Sequence, residues 1–471
     1  MLPILPEITL SVAALYFFFK NLGLFKIKSQ QAALWFGAAT AAASVISLFF
    51  HGEFFSGAYK IDQFSRFFTL LISFAYLVSC VIFTRLKECE QSRIDEFFFF
   101  TSMGALGLIM TVGSMELMSI FIAIEISSYP MYIITAFRKG LGRQFEASVK
   151  YIVFGAVSTA LMLYGISYIY GLCGSTFIVD IASALPSKLN NPLAALGVLL
   201  FMAGLGYKLA AFPFHFWAPD VYSGAASEVA TFIAALPKLA ATALLIRIAH
   251  LFSGIEIMPL AISVLAVLSM TAGNLMALNQ TGLKRLLAYS AVSHAGFILI
   301  GLISMDNGGA QAAMFYASIY AFMSLAAFLV AVELSGRDSV DIHIERLKGL
   351  WKRSPILAIM LTIALASLAG LPPTAGFSGK LFLLLSAWKA GFEWVVIAGV
   401  INTLIGIYYY LKVIKISLVE QSDEKPWPIL PAYLKVTSGI LAAALLLFGI
   451  FPKGLLNLAN AAFKALGFSG I

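Results

Sequence analysis

The sequence predicts an all-α integral membrane protein with about 14 transmembrane helices, and three observations lead to this fold class. Of the 471 residues, 61% are hydrophobic and only 11% are charged, whereas soluble proteins are about 45–50% apolar and about 25% charged. The apolar residues form stretches of roughly 20, which is the length that crosses a bilayer. These stretches are too uniformly apolar for barrel strands, which alternate over about ten residues.

Each stretch is expected to be a helix, because only helices and closed barrels satisfy every backbone hydrogen bond in lipid. The N-terminal run MLPILPEITLSVAALYFFFK lacks a basic region and a small-residue cleavage site, which favours an uncleaved first helix over a signal peptide. In chain order, the predicted spans are residues 3–19, 30–50, 66–85, 95–113, 115–136, 144–171, 192–216, 227–250, 258–280, 284–304, 309–334, 355–388, 393–416 and 433–455.

Two of these spans contain prolines that interrupt a helix. The seventh contains Pro213 and Pro219 in GLGYKLAAFPFHFWAP, and the twelfth contains Pro372 and Pro373 in LASLAGLPPTAGFSGKLF. The two breaks are five spans apart, so spans 4–8 and 9–13 form two five-helix units, and the odd offset makes the second inverted relative to the first. Inverted repeats with matching broken helices are typical of transporters.

This interpretation predicts that the chain has four parts. Residues 1–94 hold the first three spans, residues 95–250 the first five-helix repeat, and residues 258–416 the second, inverted repeat. Residues 417–471 hold a loop and the last span.

The distribution of the basic residues indicates membrane topology and not a nucleic-acid-binding surface. The net charge is +8, but the 31 lysines and arginines are scattered between apolar spans, and most lie in loops after odd-numbered spans. Because positively charged loops stay in the cytoplasm, both termini of this multi-pass chain are predicted on the periplasmic side of a bacterial inner membrane.

Four ionisable residues lie alone near the middle of apolar spans: Glu125, Lys208, Lys238 and Lys380. A charge at that depth costs about 2.5–3.5 kcal/mol on insertion scales, so such residues indicate an ion or proton path. One lysine could extend its stem to the interface, but three at midplane depth make that joint explanation weak. Glu125 is either a protonated core residue or the ion-pair partner of a buried lysine.

His294 lies near the middle of the tenth span, in YSAVSHAGFILIG. It is either a hydrogen-bonded core residue or a member of the same path, since its charge switches near neutral pH.

Redox chemistry is not expected in this chain. No glycine-rich nucleotide loop follows a strand, and no Walker loop occurs. Cys80, Cys89 and Cys173 lack the spacing of an iron–sulfur site. We therefore expect no cofactor and no metal here.

Four runs carry a family resemblance: ELMSIFIAIEISSYPMYI, GLGYKLAAFPFHFWAPDVYSGA, NLMALNQTGLKRLLAYSAVSHAGF and AGLPPTAGFSGKLFLL. They resemble, in order and over nearly the whole chain, the antiporter-like proton-pumping membrane subunits of respiratory complex I, and among these subunit N. Lys380 fits subunit N better than subunit M, whose matching helix typically carries a glutamate. One departure is SGAASEVATF, which stands where the family usually has a Gly-Ala-Pro-containing loop.

The resemblance implies a membrane subunit of NADH-quinone oxidoreductase that moves protons while other subunits reduce quinone. Flavin, iron–sulfur clusters and quinone would then belong to partner subunits, and nucleic acid is not an expected partner. By position, Glu125 and Lys208 would be the pair of the first half-channel. Lys238 would be the central relay, His294 would continue the polar axis, and Lys380 would be the terminal lysine.

Two alternatives stay open from the sequence. The first is a subunit of a sodium/proton antiporter or membrane-bound hydrogenase, which share this fold. The second is a structural membrane subunit that only anchors its partners.

Overall fold

A computed structural model describes residues 2–140, 142–252, 255, 257–335, 341–420 and 430–466. These residues are almost entirely helical, so the predicted all-α fold class is confirmed. The helices are α1 Leu5–Asn21, α2 Ser29–Ser47, α3 Gln63–Phe83, α4 Ile94–Gly113, α5 Leu117–Thr135, α6 Arg143–Cys173, α7 Ile178–Ala184, α8 Pro192–Leu209, α9 Trp217–Gly224, α10 Ser227–Arg247, α11 Met258–Leu278, α12 Leu283–Ile303, α13 Gly309–Leu334, α14 Leu350–Arg353, α15 Pro355–Ala369, α16 Ala375–Lys389, α17 Glu393–Leu418, α18 Ala432–Ile450 and α19 Lys453–Lys464.

Within the described residues, 12 helices are long and apolar enough to cross a membrane. Two predicted spans are missing from that set. The predicted span 30–50 corresponds to α2, which is rich in alanine, serine and threonine. The predicted span 355–388 corresponds to two shorter halves, α15 and α16. The count of 14 spans therefore stays a prediction.

Three helices form the centre of the bundle: α10, α12 and α13. Every residue of α10 is buried, and α12 and α13 are buried over nearly their whole length. A helix that is apolar on all sides and packed on all sides needs no lipid contact. The groups carried by α10 and α12 are therefore shielded from the bilayer by other helices.

The two predicted breaks are present and share a backbone feature. Helix α8 ends at Leu209 and is followed by Ala210 in the left-handed conformation (φ 60°). Helix α15 ends at Ala369 and is followed by Gly370 in the same conformation (φ 82°). A left-handed residue closes a helix by bonding its last carbonyls, and the prolines that follow prevent immediate continuation.

Some small elements do not follow from the apolar pattern. Strands β1 Gly52–Phe54 and β2 Tyr59–Ile61 form an antiparallel hairpin between α2 and α3, with Glu53 paired to Lys60. The last predicted span, 433–455, ends at Ile450, and the amphipathic helix α19 follows. The predicted loop at 421–429 lies outside the described residues.

A buried ion pair joins the start of α3 to the end of α10. The Asp62 carboxylate accepts two hydrogen bonds of 3.0 Å from the Arg247 guanidinium, whose side chain is 1% exposed. Asp62 also caps α3 by accepting from the Ser65 backbone N–H at 2.7 Å. Burial alone would raise the pKa of Asp62, but the Arg247 charge and these hydrogen bonds outweigh it and hold the pKa below its usual range.

We predict that Asp62→Asn destabilises the protein by about 3–5 kcal/mol, because Arg247 is left buried without its counter-charge. The measurement is thermal unfolding in detergent. The matched control is Glu53→Gln, which removes an exposed ion pair worth at most about 1 kcal/mol. Equal effects of the two changes would contradict the prediction.

The contribution of the Asp62–Arg247 ion pair to the free energy of unfolding depends on pH. Because folding lowers the pKa of Asp62, its contribution is complete above the unfolded value of about 3.9 and is lost as pH falls through the folded value. The stability difference between wild type and Asp62→Asn should therefore shrink below that pH.

Candidate functional site

Lys238 lies at the middle of α10 and is 2% exposed. Its ammonium group donates to the backbone oxygen of Ala291 on α12 at 2.6 Å and to the Tyr320 hydroxyl on α13 at 3.3 Å. The same nitrogen lies 4.5 Å from the centre of the Tyr320 ring. The lysine is thus held by the other two central helices, through hydrogen bonds and a cation–π contact.

His294 on α12 lies beside this lysine site. One ring nitrogen is 2.5 Å from the Tyr316 hydroxyl and the other is 3.2 Å from the Tyr410 hydroxyl. The His294 ring also packs against Tyr320, with 5.2 Å between ring centres. Tyr320 therefore contacts both Lys238 and His294, and both nitrogens of the histidine have partners that can give or accept a hydrogen.

The side chain of Lys380, on α16, extends toward the break between α15 and α16. Its ammonium group donates to the carbonyls of Leu368 and Ala369, each at 3.1 Å, at the C-terminal end of α15. Helix C-termini carry unpaired carbonyls and partial negative charge, which favours a cation there. The ammonium also lies 4.8 Å from the centre of the Phe297 ring.

Tyr316 links the histidine to the region of Lys380. Its ring packs on Gly379, where an added Cβ would come within 2.6 Å of the ring. Gly379 precedes Lys380 on α16, and only a residue without a side chain permits this approach. Tyr316 thus contacts His294 through its hydroxyl group and the residue before Lys380 through its ring.

Lys208 occupies the equivalent place at the first break, in the last turn of α8. Its ammonium group donates to the Ser128 hydroxyl on α5. Lys208 also borders a cavity of about 10 Å³ that Pro237 and Ala241 of α10 line as well. This volume is near the lower limit for one water molecule, and Pro237 directly precedes Lys238.

Glu125 lies one helical turn before Ser128 on α5 and accepts a hydrogen bond of 2.8 Å from Thr159 on α6. It forms no salt bridge with Lys208 within 4.0 Å. The two predicted partners are instead joined indirectly, since Ser128 belongs to the same helix as Glu125. Ile122 and Tyr129 on either side are exposed, so Glu125 lies at the edge of an outer face.

The sequence did not single out the hydroxyl groups that complete the site. Tyr316 and Tyr320 come from α13, Tyr410 from α17, and Ser128 from α5. The one available signal was the spacing of Tyr316 and Tyr320, which places both on one helix face. A tyrosine in an apolar helix looks the same as a packing residue until its partners are known.

The arrangement holds groups that can take up and release protons, with hydroxyl groups between them. Within the described part of the chain, no group of three or more histidine, cysteine, aspartate or glutamate side chains is placed to hold a metal ion.

Comparison with known proteins gives one consistent family. A family model described as NADH:quinone oxidoreductase/Mrp antiporter, TM, matches residues 114–406. The chain is 40% identical to NADH-quinone oxidoreductase subunit N 2 of Opitutus terrae, over 95% of both chains. It is 42% identical to the protein of that name from Solidesulfovibrio magneticus, over 92% of both.

A solved structure agrees with this assignment. A chain of respiratory complex I from Thermus thermophilus with bound aureothin superposes with a TM-score of 0.84 at 32% identity. The match covers 96% of the present chain and 98% of that chain.

We predict that Gly370→Ala destabilises the broken twelfth span and displaces Lys380. A left-handed non-glycine residue costs about 1–2 kcal/mol, and the new Cβ would lie 3.0 Å from Cδ of Lys380. The control is Gly439→Ala in α18, where a Cβ meets nothing within 4 Å. Thermal unfolding in detergent measures both, and a Gly370→Ala variant as stable as Gly439→Ala would refute the prediction.

Proposed function

The chain belongs to the NADH:quinone oxidoreductase/Mrp antiporter transmembrane family, and from this premise we propose that Lys208, Lys238, His294 and Lys380 form one proton relay. The chain is a proton-translocating membrane subunit of NADH-quinone oxidoreductase and works among the other subunits of complex I. The observation that carries the relay is the contact of Tyr320 with both Lys238 and His294 in the most buried part of the bundle.

The proposed path enters at Lys208 and crosses the small cavity to Lys238. It continues through Tyr320 and His294, and leaves through Tyr316 toward Lys380. Each step exchanges one or two hydrogen bonds to a charged group, each with a net value of about 1.5–3 kcal/mol. Moving one charge against 100 mV costs about 2.3 kcal/mol. Changes in these few contacts are therefore of the size that the membrane potential demands.

Glu125 is proposed as the control element of the first step. In one state Lys208 bonds Ser128 and Glu125 bonds Thr159, as in this structure. In the other, Glu125 and Lys208 pair directly, which holds the charge of Lys208 in place. Because Glu125 lies at the edge of an exposed face, a charge change in a neighbouring subunit could select between the two states.

Electron transfer is assigned to other subunits. Enzymatic activity belongs to the assembled NADH-quinone oxidoreductase. In this proposal, flavin, iron–sulfur clusters and quinone are bound by partner chains, and this chain contributes only proton movement.

The inverted arrangement is part of the same proposal. We propose that residues 95–250 and 258–416 are two inverted units, and that both termini lie on the periplasmic side of the bacterial inner membrane. The support is that each unit contains one broken helix with a lysine at the C-terminal end of its first half: Lys208 in sequence, and Lys380 by hydrogen bonding.

We predict that Lys238→Met in the assembled complex lowers proton pumping and coupled quinone reduction at least tenfold, because it removes the charge and keeps the stem volume. Tyr320→Phe, which keeps the ring and removes one hydroxyl, should cause a smaller loss. Pumping is measured in proteoliposomes with a pH-sensitive dye, and quinone reduction by NADH oxidation.

The control for this experiment is Lys389→Met, at an exposed lysine at the end of α16. Wild-type pumping and quinone reduction in Lys238→Met would rule out the relay. Transport that requires sodium and proceeds without quinone would instead favour an antiporter.

Orientation gives a separate prediction. In a background lacking the partly exposed Cys173, Lys464→Cys should react with a membrane-impermeant maleimide added outside intact cells. Glu345→Cys should react only after the membrane is opened. The reverse pattern would place the termini in the cytoplasm.

A further inference from the structure

A second group of buried charges lies outside the relay, where the loop before α4 meets the first turns of α10 and α12. It consists of Glu88, Arg138, Glu228 and Lys284, each more than nine-tenths buried. Glu88 and Arg138 form an ion pair of 3.1 Å, and Lys284 lies 4.0 Å from the other oxygen of Glu88. Two carboxyl groups and two cations are thus enclosed together away from solvent.

The side chains of this charge cluster form hydrogen bonds with the backbone of the short linker between α9 and α10 and of the adjoining helix ends. Arg138 donates to the backbone oxygen of Ser223 at 3.4 Å, and Lys284 donates to that of Ala225 at 2.9 Å. The backbone N–H of Ser227 donates to Glu88 at 2.6 Å. The linker, residues 225–226, lies within the segment SGAASEVATF, which stands where the family usually has a Gly-Ala-Pro-containing loop, and Glu228 is the acidic residue of this segment.

Glu228 differs from the other buried carboxyl groups at this end of the bundle. Glu88 pairs with Arg138, and Glu333 pairs with Lys87 at 3.0 Å. Among the described residues, no cation lies within 4.0 Å of Glu228.

The two carboxyl oxygens of Glu228 also differ in their hydrogen bonds. Its Oε1 atom accepts the backbone N–H groups of Lys87 at 2.5 Å and Glu88 at 3.3 Å, while its Oε2 atom is buried without a hydrogen-bond partner. A buried charged oxygen without a donor is costly, whereas a carboxylic acid carries its proton on that atom.

The position of the cluster relates it to the relay. Glu228 lies ten residues before Lys238 on α10, and Lys284 lies ten residues before His294 on α12. At 1.5 Å per residue this places both about 15 Å from the relay groups, at the helix ends proposed above as cytoplasmic. The cluster therefore occupies the first turns of the two helices that carry the centre of the relay, as an entry point separate from the one proposed at Lys208.

We propose that Glu228 is a proton-loading residue of this subunit, which takes a proton from the cytoplasmic side and passes it inward toward Lys238. This inference rests on the proposed function. In loading, a hydronium ion transfers its proton to Oε2 of Glu228, which forms an O–H bond and leaves a water molecule. In release, that O–H bond breaks and a water molecule on the path toward Lys238 accepts the proton, so no oxidant or reductant is needed.

Other charged or titratable groups lie around Glu228 or around its neighbours Lys87, Cys89 and Lys284. They are Lys87, Glu88 and Cys89 of the loop before α4, Arg138 after α5, Lys284 of α12, Glu333 of α13 and Asp341 of the loop before α14. Burial, together with Glu228 and Glu88, raises the pKa of the Cys89 thiol well above its usual range, so this thiol stays neutral. Glu88 and Glu333 each form an ion pair with a cation of this group, whereas Glu228 has no cation within 4.0 Å among the described residues.

The test is Glu228→Gln in the assembled complex. Glutamine keeps the shape and can accept the two backbone N–H groups, but it cannot exchange a proton. We expect normal assembly, at least a fivefold fall in the rate of proton pumping, and loss of one protonated-carboxyl band from the infrared spectrum. The matched control is Ser227→Ala, which removes a buried, unpartnered hydroxyl from the same turn and should leave all three readouts unchanged.

The outcomes separate this inference from the proposed function. If Lys238→Met stops pumping while Glu228→Gln pumps normally, the relay stands and the loading role of Glu228 is wrong. If Glu228 only stabilises the first turn of α10, Glu228→Gln lowers thermal stability but leaves the rate and its pH profile unchanged, which also overturns the proposal.

If Glu228→Gln fails to assemble, Glu228→Asp decides the question. A loading carboxyl moved by one methylene should shift the pH profile of pumping. An unchanged profile would overturn the proposal.

Discussion

A buried lysine ammonium group needs oxygen atoms that accept its hydrogen bonds. In this bundle, that requirement links helices and loops to one another. Lys238 reaches a backbone carbonyl of α12, Lys380 reaches two at the end of α15, and Lys284 reaches one in the linker before α10. In each case the acceptor belongs to a different helix or linker. Hydrogen bonds from these charged groups therefore fix the relative positions of elements that otherwise contact each other through apolar side chains.

The broken twelfth span supplies two of these four oxygen atoms. An intact helix uses nearly all its carbonyls internally, whereas a helix that stops inside the membrane leaves its last ones unpaired. The left-handed residues Ala210 and Gly370 end α8 and α15 at such depths, and a lysine lies at each end. Irregular backbone at membrane depth is stable here because protein surrounds it, and the carbonyls at the end of α15 bind the ammonium group of Lys380.

The sequence was sufficient to predict features that depend on local composition. A lone charge in an apolar run singled out Glu125, Lys208, Lys238 and Lys380 as candidates, and prolines located both breaks. It was not sufficient for contacts between distant segments, such as the hydroxyl of Tyr320 between Lys238 and His294, or Glu88 beside Glu228. These contacts depend on how helices rotate against each other, which apolar periodicity does not determine when a helix is buried on all sides.

The complete enclosure of α10 has a consequence for how the protein responds to its surroundings. Bilayers differ in thickness and in acyl-chain order, and a mismatch acts on helices that touch lipid, through tilt and local thinning. Outer helices such as α6 and α17 present exposed apolar faces, which are the surfaces on which such a mismatch acts. Since α10 touches only protein, the geometry around Lys238 is insulated from changes in fatty-acid composition that accompany growth at different temperatures.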